Sequence, residues 1–248
     1  GKDSVRWQET VVAEGHDKQF HENLKKIIEK KKPKEEIFED ITSRHVNQYY
    51  SSIVKGLTAK VFRTYLATTV VKNYLIKHDT IKSQTANEKL YHAKLANLEA
   101  AMMCNHKRTI PKTYELTLQK KRDSIKKLEK EQIWKKTQET LKKVKSKEPK
   151  TDIQKKSKTK RIKTLNEQIK KQKAKHKERL EKLELQLDLS EKTKDYAIGT
   201  SLRNYIDPRI FKAWTNEVGA EWEKLYTAAL QKKFLWVKNE NVEWQKLK

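Results

Sequence analysis

From His21 to about Asn105 the apolar residues recur at the three- and four-residue spacing of amphipathic helices. The stretch FHENLKKIIEKKK predicts a first helix, and Pro33 either ends it or begins its successor. One face of this helix carries four apolar residues: Phe20, Leu24, Ile27 and Ile28. The first part of the chain is therefore expected to be helical.

The stretch GLTAKVFRTYLATTVVKNYL predicts a second helix, with Thr58 as its N-cap after Gly56. Its apolar stripe consists of Val61, Phe62, Tyr65, Leu66 and Thr69. Arg63 falls away from that stripe, so its side chain is expected to point to solvent or to a ligand.

A third helix is predicted by ANEKLYHAKLANLEAAMMCNH. We expect Met102 and Met103 to fill the core of the protein. Pro111 prevents the same helix from continuing, which places His106 at or just beyond the helix end.

The first fifteen residues, GKDSVRWQETVVAEG, show a short apolar–polar alternation between glycines. This pattern predicts a short strand or β-hairpin. The stretch has no initiator methionine and no turn before it, so we expect that the chain begins inside a larger protein.

Residues 112–189 have few apolar positions, many charges and no glycine. The turn-forming stretch SKEPKTD divides them, which predicts two antiparallel helices of about 30 to 35 residues, each roughly 50 Å long. Gln172 and His176 occupy positions where apolar residues would be expected, so this coiled-coil linker is predicted to be only modestly stable.

After Ser190 the pattern again predicts short amphipathic helices, rich in aromatic residues that are expected to dock on another core: Trp214, Val218, Trp222, Leu225, Phe234 and Trp236. The predicted fold class is mainly α. Residues 1–108 are expected to form part of a helical core that includes the short N-terminal β-hairpin. Residues 109–190 are expected to form the antiparallel coiled-coil linker, and residues 191–248 a small helical C-terminal domain.

The charge of the chain points to a polyanionic partner. Hydrophobic residues make up 35% of the chain and charged residues 37%, and the net charge is +25. Residues 107–190 hold 29 Lys or Arg against 12 Asp or Glu. Nucleic acid is the first candidate partner, because neutralising phosphates releases counterions. An anionic membrane surface is second, and no stretch approaches the roughly 20 apolar residues of a spanning helix.

Cysteine and histidine give little sign of a metal or redox site. The single cysteine, Cys104, lies in an apolar run and is expected to be a small buried residue in a reducing compartment. The seven histidines show no recurrent zinc spacing, so neither a structural metal nor a cofactor is predicted.

The stretch SLRNYIDPRIFKAW leaves two interpretations of Tyr205 open. The tyrosine is either an aromatic residue at a helical corner or a nucleophile that attacks a phosphodiester. A nucleophile would need cations or hydrogen-bond donors on the nonbridging oxygens and a proton donor for the leaving 5′ oxygen. The residue pattern alone does not select those groups.

Five stretches resemble the type IB DNA topoisomerases of the eukaryotic kind, including the archaeal enzymes that have a coiled-coil linker. They are GKDSVRW, GLTAKVFRTY, MCNHKRTIPKT, AIGTSLRNYIDPRIFKAW and QKKFLWV, in the order of that family. The resemblance implies an ATP- and metal-independent enzyme that cuts one strand of supercoiled duplex DNA, allows rotation and reseals the strand.

The resemblance also implies roles for individual residues. Tyr205 matches the tyrosine that becomes joined to the DNA 3′ phosphate, and Arg63 and His106 match the groups on the nonbridging oxygens. Lys2 matches the general acid for the 5′ hydroxyl, which also reaches into the minor groove. Expected DNA contacts are Lys2, Asn204, Arg203 and Lys107.

Two departures from the family pattern stand out. The lysine that commonly follows the serine is replaced by Leu202, with a basic residue instead at Arg203. The second catalytic arginine of the family lies upstream of GKDS and has no match here, so we expect this chain to be incomplete for activity without a preceding core segment.

Two alternatives remain from the sequence: a tyrosine recombinase-like strand transferase, and a noncatalytic basic coiled-coil module that binds nucleic acid. The expected location is the nucleus for a eukaryotic protein, and the cytoplasm or nucleoid for an archaeal one.

Overall fold

The structure is a computed structural model that describes residues 8, 10, 12–78 and 84–247. These residues are mainly helical, which confirms the predicted fold class. The helices are α1 (Asp17–Ile28), α2 (Ser43–Ile53), α3 (Ala59–Lys77), α4 (Ala86–Met103), α5 (Tyr114–Lys130), α6 (Lys135–Ser146), α7 (Asp152–Lys192), α8 (Ile198–Asn204), α9 (Pro208–Val218) and α10 (Ala228–Lys233).

The predicted N-terminal hairpin lies mostly outside the described residues. Of its fifteen positions, Gln8, Thr10 and residues 12–15 are described, and none of these is in a strand. Across the described part of the chain, strand pairing is restricted to one isolated antiparallel bridge, between Lys107 and Tyr196.

The core begins where α3 packs on α4, and it uses a different face of α3 from the one predicted. The contact is made by Ala67, Val71 and Leu75 of α3 and by Ala93, Ala96 and Ala100 of α4, all fully or almost fully buried. Alanines allow two helices to approach closely, and the apolar spacing of larger residues did not reveal them. In the apolar stripe, Val61, Phe62, Tyr65 and Leu66 are exposed and Thr69 is half-buried, so the stripe does not form this contact. Met102 and Met103 are exposed as well, so the prediction that they fill the core was wrong.

The C-terminal segment returns to the same core, as its aromatic residues predicted. Phe211 and Trp214 of α9 are completely or almost completely buried, and the aromatic residues that follow complete the cluster: Trp222, Tyr226, Phe234 and Trp244. Lys89 of α4 donates a hydrogen bond to the carbonyl of Val218, 2.6 Å away, at the C-terminus of α9. Trp236 is an exception because it is exposed, with the Arg209 guanidinium 5.9 Å from its ring centroid.

The linker is an antiparallel helical hairpin, here called the linker hairpin, formed by α5 and α6 on one side and α7 on the other. The 41 residues of α7 span about 60 Å at the helical rise. The turn at SKEPKTD is confirmed, since α6 ends at Ser146 and the Thr151 side chain caps α7 by accepting from Gln154 N–H.

The first side of the linker hairpin is broken into two helices, whereas we predicted one of about 30 to 35 residues. Glu131 leaves the helical conformation, and His176 Nε2 lies 2.8 Å from the carbonyl oxygen of Leu128 near the end of α5. The Trp134 ring packs edge-on against His176 at a centroid distance of 5.1 Å. His176, the polar residue at a position where an apolar one was expected, thus forms the contact with the end of α5, where the helix is interrupted.

Candidate active site

His106 is positioned by the way α4 ends. Asn105 has a positive φ of 51°, in the left-handed region. The Asn105 N–H donates to the Met102 carbonyl, and the His106 N–H donates to the Ala101 carbonyl, both at 2.9 Å. This pair of bonds is the Schellman motif with asparagine in place of the usual glycine. The motif ends α4 and directs the chain away from the helix at His106, which fixes the backbone position of this residue.

A short pairing then joins His106 to the segment that leads into α8. The Ala197 N–H donates to the His106 carbonyl at 2.8 Å, and the Arg108 N–H donates to the Asp195 carbonyl at 2.9 Å. The linker hairpin lies between these two segments in sequence, so its antiparallel return allows the pairing.

Buried hydrogen bonds hold α8 against α4. The hydroxyl of Ser201, which is fully buried, donates to Asn97 Oδ1 at 2.7 Å, and Asn97 Nδ2 donates to the Ile198 carbonyl at 2.9 Å. The Tyr205 N–H donates to the Ser201 carbonyl at 2.9 Å. Two residues later, the Asp207 N–H donates to Thr68 Oγ1 of α3 at 2.9 Å. The backbone at Tyr205 is therefore fixed on both sides.

The corner after Tyr205 follows from its sequence. Asp207 caps α9 by accepting from the Arg209 N–H at 3.0 Å, and Pro208 occupies the first helical position. The Asp-Pro-Arg stretch thus starts a new helix directly behind the tyrosine, and this leaves the Tyr205 ring half-buried.

Three side chains from two separate parts of the chain lie against Tyr205. The ring centroids of Tyr205 and His106 are 5.3 Å apart. The Arg63 guanidinium carbon lies 4.9 Å from the Tyr205 ring centroid, and Lys60 Nζ lies 5.7 Å from it. Arg63 also donates a hydrogen bond to the carbonyl of Cys104. Together with neighbouring residues, Arg63, His106 and Tyr205 line an open cleft of about 340 Å³.

The comparisons with known proteins give the family. The model described as "Eukaryotic DNA topoisomerase I, catalytic core" matches residues 1–141, and the "C-terminal topoisomerase domain" matches residues 177–246. The chain belongs to the eukaryotic DNA topoisomerase I family. Arg63 and His106 lie in the first matched segment and Tyr205 in the second.

Relatives agree with this membership. DNA topoisomerase 1 of Rattus norvegicus and that of Homo sapiens are each 35% identical over 239 residues, covering 95% of this chain and 29% of each relative. The mitochondrial DNA topoisomerase I of Rattus norvegicus is 33% identical over 247 residues, covering 97% of this chain and 38% of that protein. The chain thus spans less than a third of the length of the first two topoisomerases.

The other site residues that the topoisomerase resemblance predicted lie around this cleft or outside the description. Lys107 is exposed and lines the cleft with Tyr205. Arg203 and Asn204 are exposed on an adjoining groove that Arg108 also lines. Lys2 lies outside the described residues. The structure thus brings together Arg63, His106 and Tyr205, with three predicted DNA contacts beside them.

Sequence reasoning missed two lysines near the tyrosine. Lys60 precedes Arg63 by three residues on α3, and this spacing places both side chains on one helix face. The spacing was therefore a signal that could have identified Lys60. Lys233 donates a hydrogen bond to the Arg203 carbonyl at 2.6 Å, two residues before Tyr205. No local sequence pattern predicts this contact, because 30 residues separate Lys233 from Arg203.

Cys104, as predicted, is buried, at 1% exposure. Burial raises the pKa of its thiol, and the nearby Arg63 only partly opposes that shift. The thiol is therefore expected to stay protonated at neutral pH. It gives the cleft no second nucleophile beside Tyr205.

Asn105 offers a test of how His106 is positioned. Asn105→Val is expected to destabilise the chain by about 1–3 kcal/mol, because a β-branched residue is strained at positive φ. Asn105→Gly keeps the turn and serves as the matched control, with an expected change within about 0.5 kcal/mol. Chemical denaturation measures both variants. Equal stability of the valine and glycine variants would contradict the role of this turn.

Proposed function

We propose that the chain forms the carboxyl-terminal part of a type IB DNA topoisomerase that relaxes supercoiled duplex DNA. The observation that carries the proposal is the meeting of Tyr205 with Arg63 and His106, three groups suited to phosphodiester chemistry from three distant segments. In this proposal a preceding core segment supplies the second arginine and completes the clamp around DNA.

In the proposed reaction the Tyr205 phenolic oxygen attacks a backbone phosphorus atom. The tyrosine–3′ phosphate bond forms as the bond to the 5′ oxygen breaks; the phenolic proton passes to water, and Lys2 protonates the leaving oxygen. Arg63 and His106 donate hydrogen bonds to the nonbridging oxygens, where negative charge develops. Lys60, whose Nζ lies 5.7 Å from the Tyr205 ring centroid, adds a positive charge near the nucleophile.

The new phosphotyrosine conserves the energy of the broken phosphodiester, so the free 5′ end can rotate and reattack without ATP, and no metal ion is invoked. Lys107 lines the cleft, and Arg203 and Asn204 line the adjoining groove, where they would contact the DNA backbone. The linker hairpin would lie near the rotating duplex and slow its rotation by nonspecific electrostatic attraction.

The enzyme would act in the nucleus of a eukaryote, or on the nucleoid of an archaeon.

No described helix has the length and apolar character needed to cross a bilayer. Within the described residues, no three His, Cys, Asp or Glu side chains gather in a way that could hold a metal ion.

Plasmid relaxation tests the proposed function. The full-length protein is expected to relax both positively and negatively supercoiled plasmid in EDTA and without ATP, with agarose gels resolving the topoisomers. Duplex binding without relaxation would contradict the proposal and favour the noncatalytic module. Products that join two different duplexes at one sequence would instead favour a tyrosine recombinase.

A further inference from the structure

A groove between α4 and α7 lies where the linker hairpin joins the core. One wall comes from α4, through Asn87, Tyr91 and Lys94, and the other from α7, through Lys182 and Gln186. Leucines form the rest of its lining: Leu90, Leu185 and Leu189. The groove has a volume of about 60 Å³, several times the 10–15 Å³ that one water requires.

Two lysines line this groove, and a third lies beside it. Lys94 belongs to α4 and Lys182 to α7, and Lys121 of α5 reaches the same region by donating to the Gln186 carbonyl at 3.3 Å and to Ser190 Oγ. Burial lowers the pKa of Lys94, and the positive charges of Lys182 and Lys121 lower it further. Among the described residues, no carboxylate pairs with any of these three ammonium groups.

Two acidic side chains adjacent in sequence to lining residues are already engaged. Glu181 Oε2 accepts from Thr85 Oγ1 at 2.9 Å and from Asn87 Nδ2 at 3.2 Å. Asp188 accepts from Tyr91 and pairs with Lys192 at 2.9 Å. These contacts fasten α7 to α4, and neither carboxylate forms an ion pair with the three lysines.

We propose that the groove between α4 and α7 is a binding site for a small oxyanion, a single phosphate group, held by Lys94, Lys182 and Lys121. Tetrahedral oxyanions accept several hydrogen bonds from ammonium groups, and charge-assisted bonds of this kind are the strong ones. Bound phosphate would remove the repulsion between the three helices and fasten the base of the linker hairpin to the core. The groove is too small to enclose a nucleotide, so the phosphate comes either free from solution or from a nucleic-acid backbone.

Lysine footprinting tests this site with a local readout that does not depend on cleavage of DNA. The full chain is dimethylated with formaldehyde and cyanoborohydride in inorganic phosphate or in chloride of equal ionic strength, and each lysine is followed by mass spectrometry. Saturating phosphate is expected to slow modification of Lys94 and Lys182 about tenfold, the effect of one charge-assisted hydrogen bond. Lys142, exposed on α6, is expected to be unaffected.

Variants separate a built site from general attraction to a basic surface. Lys182→Gln, at an exposed position, is expected to remove the protection of Lys94, whereas the matched variant Lys142→Gln is expected to retain it. A short duplex in phosphate-free buffer distinguishes the sources, since protection of Lys94 by duplex indicates a backbone phosphate and protection by inorganic phosphate alone indicates a free ion. Equal effects on Lys94 and Lys142, or no protection by either probe, would overturn the proposal.

Discussion

Tyr205→Phe is expected to abolish both plasmid relaxation and the covalent protein–DNA adduct in the full-length protein. The substitution removes the attacking oxygen but keeps the ring that contacts His106 and Arg63. The backbone of Tyr205 is fixed by Ser201 and, through Asp207, by Thr68, and none of those hydrogen bonds uses the phenolic hydroxyl. Loss of a nucleophile lowers turnover by at least about 10⁴-fold.

Denaturing gels of a labelled duplex trapped after cleavage measure the adduct, and duplex binding is measured in parallel. Tyr196→Phe is the matched control, because Tyr196 is half-buried at the adjoining groove and pairs with Lys107 through its backbone. The control is expected to form adduct like the wild type. Adduct in the Tyr205→Phe variant, or its equal loss from both variants, would refute the assignment of the nucleophile.

Much of the fold followed from local signals in the sequence. The Asp-Pro stretch predicted a turn and now begins α9, and SKEPKTD marked the tip of the linker hairpin. Pro111 was a looser signal, because α4 already ends at Met103, where Asn105 turns the chain with a positive φ. In each case short-range chemistry decides the conformation, through a missing N–H, a capping side chain or a cluster of turn formers. Such signals depend on neighbouring residues and not on tertiary contacts, so the sequence alone reveals them.

The faces that the helices bury were harder to predict. Apolar periodicity in α3 pointed to the larger residues, yet α3 and α4 pack through Ala67, Val71 and the small residues opposite them. Which face a helix buries depends on its partners: α3 packs mainly on the next helix, α4, and α9 joins the same core after the linker hairpin. The break at Glu131 likewise involves a distant partner, since His176 contacts the end of α5 across 48 residues.

The candidate site shows the same division. Tyr205, Arg63 and His106 were identified through a family resemblance, because isolated residues of these types carry no signal of their own. Asn97 and Ser201, which hold α8 in place, look like ordinary polar residues in sequence and become meaningful only as a buried pair. The family resemblance thus suggested the candidate reacting groups, while the structure added the residues that position them.

The linker hairpin has a graded attachment to the core that bears on how it would act on DNA. Its base is fastened to α4 by Tyr91 with Asp188 and by Asn87 with Glu181, whereas in its outer part α6 packs mainly on α7. Residues 142–176, which include the tip, fall outside both matched family segments. In the proposed function, the base would set the direction of the linker hairpin and the tip would supply charge.

Arg63→Ala is expected to slow DNA cleavage by about 10²- to 10³-fold, the usual effect of losing one donor to a developing oxyanion. Single-turnover cleavage of a duplex measures this rate. Arg63 is exposed and makes its described hydrogen bond to the Cys104 carbonyl, so the free energy of unfolding is expected to change little. Duplex affinity is expected to fall only slightly, because the chain carries a net charge of +25.

Two further variants make the role of Arg63 specific. Arg63→Lys restores the charge without the planar pair of donors, so it is expected to recover only part of the rate. Arg44→Ala removes an exposed arginine from α2 and is expected to cleave at the wild-type rate, with a similar small loss of affinity. If Arg63→Ala weakened duplex affinity but left the cleavage rate of bound DNA unchanged, Arg63 would contribute to ground-state binding alone, because a donor that acts on the transition state lowers the cleavage rate of DNA already bound.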